Sequence, residues 1–111
     1  MVVNQRDLVL LQYPFSDLKS SKLRPALIVS NDSFNKKSSD CIMVPLTTVI
    51  KDEPYSIMID KQDLSSGKLL KLSRIRVDKI FSIDKGLISM KIGIIQEKTF
   101  KKVKEEIGKM F

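Results

Sequence analysis

The sequence predicts a mainly β protein with one C-terminal helix, folded as a small, strongly bent sheet or barrel. Most of the chain alternates between short apolar segments and polar, turn-forming stretches, which is typical of many short strands. Only residues 96–110 space their apolar side chains three and four apart, as a helix does. A chain of 111 residues fits one domain, and we expect that domain to span residues 1–111.

The predicted strands follow the apolar segments in order. They cover residues 7–12, 24–30, 41–47, 55–59 and 87–95, with two short strands in tandem within residues 69–84. The segments 24–30 and 41–47 are rich in Ile, Val and Leu without clean alternation, as expected when both faces of a strand are covered. Residues 31–40 are predicted to form a turn, and Gly93 a bend in the last strand.

The predicted helix runs from Gln96 to Met110. Phe100, Val103 and Ile107 form its apolar face, and lysines and glutamates fill the other. This pattern indicates an amphipathic helix packed on the sheet.

Composition narrows the possible chemistry. The chain has 20 Lys and Arg against 13 Asp and Glu, a formal charge of +7, which favours a polyanionic partner, nucleic acid first. It contains no histidine, so the commonest general base and the commonest metal ligand are excluded. The single cysteine, Cys41, is interpreted as a small buried hydrophobic residue. The apolar runs are too short to span a membrane and the start lacks a signal-peptide pattern, so we expect a cytoplasmic protein.

The segment "KLRPALIVSND" places Arg24 at the mouth of a strand, directly before a proline. If strands 24–30 and 41–47 pair antiparallel, with Ser30 roughly opposite Ile42, then Arg24 lies opposite Thr47 and Thr48. A guanidinium fork fits a phosphate bidentately, and a threonine hydroxyl adds a further donor. The alternative from spacing alone is that Arg24 is a solvated charge at a strand end.

Four segments in order resemble the MazF/PemK family of toxin ribonucleases from toxin–antitoxin pairs. They are "YPFSD", "RPALIVSND", "VPLTT" and "SRIRVDKIF", followed by the amphipathic helix. The resemblance implies an SH3-like barrel of the MazF and CcdB type that forms a homodimer. It also implies an enzyme that needs no metal or cofactor, cuts single-stranded RNA at short motifs to leave a 2′,3′-cyclic phosphate, and is restrained by a cognate antitoxin.

The resemblance also implies site residues. The catalytic arginine of the family matches Arg24 and the catalytic threonine matches Thr47, with Thr48 beside it. Ser73 occupies a position where relatives carry a small polar or acidic residue near the site.

Candidate RNA contacts lie in two parts of the chain. Arg74 and Arg76 alternate with Ser73 along one predicted strand and are candidates for contact with the RNA backbone. Lys19, Ser20 and Lys22 lie in the loop that would border the groove, where lysines can steer a nucleic-acid strand electrostatically.

One position departs from the family pattern. Many relatives begin with Gly-Asp or Gly-Glu where this chain has Arg6 and Asp7, so a charged residue replaces a turn glycine. Two alternative functions stay open at this point, because a shared fold does not fix function. One is a non-enzymatic gyrase poison like CcdB, and the other is an SH3-like module that binds RNA without cutting it.

Overall fold

The structure, a computed structural model, describes residues 2–12 and 23–111. Within these residues eight β-strands and two α-helices follow one another. The strands are β1 Asp7–Gln12, β2 Leu23–Ile28, β3 Asp40–Thr47, β4 Ser56–Ile59, β5 Leu64–Gly67, β6 Ser73–Arg76, β7 Phe81–Asp84 and β8 Ile88–Ile95. The α-helices are α1 Asp32–Lys37 and α2 Glu97–Lys109, and short 3-10 turns cover Lys61–Asp63, Val77–Lys79 and Lys85–Leu87.

The strands form one antiparallel sheet in the order β4-β6-β3-β2-β1-β8-β5, and β7 also pairs with β3. Strand β3 changes partner along its length. Its residues 40–43 pair with β7 and its residues 46–47 pair with β6. This exchange of partners lets the sheet curl, so the end of β3 that carries the threonines meets a different strand from its beginning.

Both faces of the central strands are buried, as predicted from their continuous apolar runs. Leu8 and Leu27 point into one hydrophobic cluster, while their neighbours Val9 and Ala26 point into a second. The first cluster is covered by α2, which contributes Phe100 among others, and the second is closed by side chains of β7 and β8. Opposite faces of β1, β2 and β3 therefore support two separate parts of the core.

Helix α2 is confirmed within one residue at each end of its predicted range. Phe100 and Val103 are buried, and Ile107 packs against the same cluster. The helix therefore uses the apolar face that its sequence period defines.

Two segments differ from the prediction. Within residues 31–40, expected to be a turn, residues 32–37 form α1, because the Asn31 side chain accepts the Phe34 N–H as an N-cap and the buried Asn35 hydrogen-bonds Ser30. Within residues 60–68, expected to interrupt the strands, Leu64–Gly67 adds β5 to the edge of the sheet.

The bend predicted at Gly93 is a bulge, because Leu8 pairs with Gly93 while Val9 pairs with Lys91.

No helix in the described residues is long and apolar enough to cross a membrane.

Candidate functional site

The pairing of β2 with β3 sets the geometry of the candidate site. Ala26 lies opposite Pro45, and Leu27 lies opposite Val44. Continued for two residues, this register brings Arg24 opposite Thr47. The N–H groups of Val29 and Ser30 both donate to the carbonyl of Ile42, so the ladder is irregular at its other end.

Arg24 and Thr47 line the same pocket, of about 320 Å³, and Thr48 and Ser73 also contribute to it. Its remaining lining residues are Leu23, Pro25, Leu46 and Val49. Arg24 and Thr48 are exposed, Thr47 is half-buried and Ser73 is buried. The structure thus brings together the four residues predicted for catalysis and its support, while their chemical roles stay predictions.

The Thr47 hydroxyl is held by the backbone that follows it. Its Oγ1 accepts a hydrogen bond from the Val49 N–H at 3.1 Å. A hydroxyl that accepts through one lone pair keeps its own proton available to donate. Thr47 therefore keeps a proton that it can donate to a ligand in the pocket.

The Ser73 hydroxyl has a different constraint. Its Oγ donates to the Lys71 carbonyl at 3.0 Å, so its proton is already engaged. In this arrangement Ser73 offers a ligand an acceptor rather than a donor.

The structure places Arg74 differently from the expected exposed contact. Its side chain is only 4% exposed. Its Nε donates to the Val49 carbonyl at 3.2 Å, and its Nη1 donates to the Glu53 carboxylate at 3.3 Å. A guanidinium with these partners does not lie open to an RNA backbone, because the segment after Thr47 covers it.

Arg76, on the same strand, is more accessible. Its side chain is 31% exposed, and its Nη2 bonds Asp78 at 3.0 Å. Of the described buried side-chain polar atoms, its Nε lacks a hydrogen-bond partner. The predicted RNA contacts Lys19, Ser20 and Lys22 lie outside the described residues.

A second, larger pocket adjoins the first and was not predicted. Its volume is about 540 Å³, and it shares Pro25, Thr48 and Ser73 with the smaller pocket. Its wall is mostly apolar and three lysines border it. The other lining residues are Leu10, Gly67, Lys68, Leu69, Leu70, Lys71, Met90, Lys91 and Ile92. They come from distant parts of the chain, and the only local sign in the sequence is the Leu69–Leu70 pair between lysines.

Cys41 lines neither of these two pockets and belongs to the second core cluster. Burial raises the pKa of its thiol to about 11. Asp40 and Asp84 push it in the same direction, and Lys85 opposes them. Because the thiolate is the reactive form of cysteine, this environment supports the interpretation of Cys41 as a core residue.

Among the residues that the structure describes, no group of three or more His, Cys, Asp or Glu side chains is placed to hold a metal ion.

Several solved structures share the fold over nearly the whole chain. A MazE–MazF complex from Deinococcus radiodurans aligns with a TM-score of 0.80 at 18% identity, covering 99% of this chain and 96% of that one. An endoribonuclease bound to its cognate antitoxin, from a mycobacterial species, aligns with a TM-score of 0.77 at 21% identity, covering 96% and 92%. The Mycobacterium tuberculosis toxin MazF-mt6 gives 0.76 at 19% identity, covering 94% of each chain.

These similarities confirm the predicted fold class, a mainly β structure of the MazF type with a curled antiparallel sheet and a C-terminal helix. No curated protein matches the chain by sequence. A family model for the PemK-like, MazF-like toxins of type II toxin–antitoxin systems matches residues 4–111, and the chain belongs to this family.

Proposed function

We propose that this toxin is an endoribonuclease that cuts single-stranded RNA, including mRNA, at short sequence motifs. The observation that carries the proposal is the shared pocket of Arg24 and Thr47 at the paired ends of β2 and β3. Further support comes from relatives of the same fold that are described as endoribonucleases.

The proposed reaction uses a nucleophile that belongs to the substrate. The 2′-hydroxyl loses its proton to solvent and its oxygen attacks the adjacent phosphorus. The bond to the 5′-oxygen breaks, and that oxygen takes up a proton from solvent. The products are a 2′,3′-cyclic phosphate and a 5′-hydroxyl. Since no bound water has to be activated, the reaction needs no metal ion or other cofactor.

Arg24 and Thr47 supply the electrostatic stabilisation in this scheme. The Arg24 guanidinium stays charged at any physiological pH and binds the non-bridging phosphate oxygens, which gain negative charge in the transition state. The Thr47 hydroxyl donates to the same group. A well-placed donor of this kind contributes about 3 kcal/mol to transition-state stabilisation. Thr48 and Ser73 complete the wall of the pocket.

Binding of the RNA strand involves charge outside the pocket. Arg76, Lys19, Ser20 and Lys22 are proposed contacts, and the formal charge of +7 favours association with a polyanion.

We also propose a homodimer that acts in the cytoplasm and is inhibited by a cognate antitoxin. Exposed apolar side chains beside the larger pocket, Leu70 at 92% and Met90 at 49% exposure, support a protein partner on this side.

RNA cleavage in excess EDTA tests the activity. Purified protein and a long single-stranded RNA are incubated together, and the cuts are mapped by primer extension. We expect sharp cuts that carry cyclic phosphate ends. Arg24→Ala and Thr47→Val should each lower the cleavage rate about 100-fold or more, because each removes one donor to the transition state.

Two control variants sharpen the result. Thr47→Ser keeps the hydroxyl and should retain most activity. Lys101→Ala, on the exposed face of α2, removes one positive charge far from the pocket in sequence and should cut at the wild-type rate. Intact RNA with the wild type, or equal losses in Lys101→Ala and Arg24→Ala, would contradict the proposed function.

A further inference from the structure

Arg74 is a buried cation next to the threonine end of β3. It lies directly opposite Thr47 in the ladder between β3 and β6, and only 4% of its side chain is exposed. Burying a guanidinium is costly unless it is paired and hydrogen-bonded. Here it has both kinds of partner, since Glu53 provides the opposite charge and the Val49 carbonyl provides an acceptor.

The Val49 backbone links Arg74 to Thr47. Its carbonyl accepts from Arg74 at 3.2 Å, and its N–H donates to Thr47 Oγ1 at 3.1 Å. The residue itself is 55% exposed, so backbone hydrogen bonds rather than burial hold it in place. A change at the guanidinium therefore reaches the threonine hydroxyl through one residue.

We infer that Arg74 is a positioning residue for catalysis, which fixes the Thr47 hydroxyl through Val49, with Glu53 holding the guanidinium in turn. The inference rests on the proposed function only where it concerns the cleavage rate. Arg74 does not touch the RNA in this arrangement. Its replacement should therefore lower kcat, because a donor displaced by a fraction of an ångström stabilises the transition state poorly.

Hydrogen exchange of the Val49 amide tests the positioning without any cleavage. In Arg74→Met and in Glu53→Gln we expect this amide to exchange about tenfold faster than in the wild type, while the amides of Val44 and Leu46 in β3 stay protected. Glu106→Gln is the matched control, because it removes a carboxylate that pairs with Lys109 on α2. It should leave Val49 exchange unchanged.

Cleavage and binding assays on the same variants test the catalytic consequence. We expect kcat to fall about tenfold or more in Arg74→Met with KM unchanged, and Arg74→Lys to recover part of the activity. The dependence of RNA affinity on salt should match the wild type. If Arg74 instead bound a phosphate directly, Arg74→Met would reduce the slope of log K against log salt by about 0.7.

The outcomes separate the inference from the function it rests on. Unchanged Val49 exchange in both variants would overturn the positioning role, as would a rise in KM with a smaller salt slope and constant kcat. If Arg74→Met fails to fold, Glu53→Gln decides by the same readouts. If the wild type does not cut RNA, the proposed function fails, and Val49 exchange still decides whether Arg74 fixes this segment.

Discussion

Arg6 adopts a backbone conformation that normally favours glycine, with φ at 79°. Its N–H donates to the Ile28 carbonyl and its carbonyl accepts from the Ile95 N–H, both at 3.0 Å. These two backbone hydrogen bonds tie the turn before β1 to the ends of β2 and β8. They do not involve the side chain at position 6. The glycine that the family resemblance leads us to expect is thus replaced by Arg6 without loss of the turn, and the residue in its place is strained. Arg6 lies directly before β1, whereas Leu11, the partner of Arg24, lies near the other end of that strand.

Arg6→Gly should therefore make the protein more stable than Arg6→Ala by about 1 kcal/mol, because only glycine adopts this conformation without strain. The comparison with alanine removes the effect of the exposed Glu97 contact at 3.9 Å, which is absent from both variants. Urea denaturation measures the difference. At the exposed helical position Lys104 the order should reverse, with glycine less stable than alanine. The same order at both positions would contradict the strain at Arg6.

The pocket residues were partly predictable from the sequence. Arg24 and Thr47 come together because antiparallel pairing of two neighbouring strands has few possible registers. Arg74 was not predictable in the same way. The alternation of residues along β6 predicts that Arg74 and Ser73 lie on opposite faces of the strand. It does not predict that the segment containing Val49 and Glu53 covers the face of Arg74. That contact depends on tertiary structure.

Among the elements, β5 was missed because its sequence, "LSSG", has little strand propensity. Two glycines allow this strand to pair. Gly67 lies opposite Gly93 in the ladder of β5 and β8. A Cβ at Gly67 would lie 2.2 Å from the Ile92 carbonyl oxygen, and φ there is +87°. The edge of the sheet beside the larger pocket therefore depends on a close backbone approach that apolar patterns do not reveal.

Gly67→Ala should destabilise the protein by about 3 kcal/mol, since both the backbone conformation and the neighbouring strand oppose a side chain. Gly108→Ala is the matched control. It lies within α2 with nothing within 4 Å of the added Cβ, and should stabilise the protein by about 0.5 kcal/mol. Thermal unfolding followed by circular dichroism gives both values. If Gly67→Ala left the free energy of unfolding unchanged, pairing of β5 would not depend on the close backbone contact at Gly67.

For the whole molecule, the curled sheet places the charged and polar ends of β2 and β3 beside an apolar pocket, on a protein with a formal charge of +7. In the proposed function, the positive charge attracts an RNA strand and the pocket of Arg24 and Thr47 acts on one of its phosphates. The overall architecture followed from the sequence because strand and helix periods agree with the fold. The larger pocket could not be predicted from the sequence, because its walls combine residues of β1, β8 and the segment before β6, which are far apart in the chain.

Cleavage of a short RNA with one modified nucleotide tests the proposed chemistry most directly. A 2′-deoxynucleotide is placed on the 5′ side of the mapped cut, and single-turnover cleavage is measured in EDTA. We expect no cut at that bond, because the attacking oxygen is missing, and normal cutting when the deoxynucleotide is moved to a neighbouring position outside the cut. Cleavage at the modified bond at the wild-type rate would mean that the nucleophile is not the 2′-hydroxyl, and would contradict the mechanism assigned to Arg24 and Thr47.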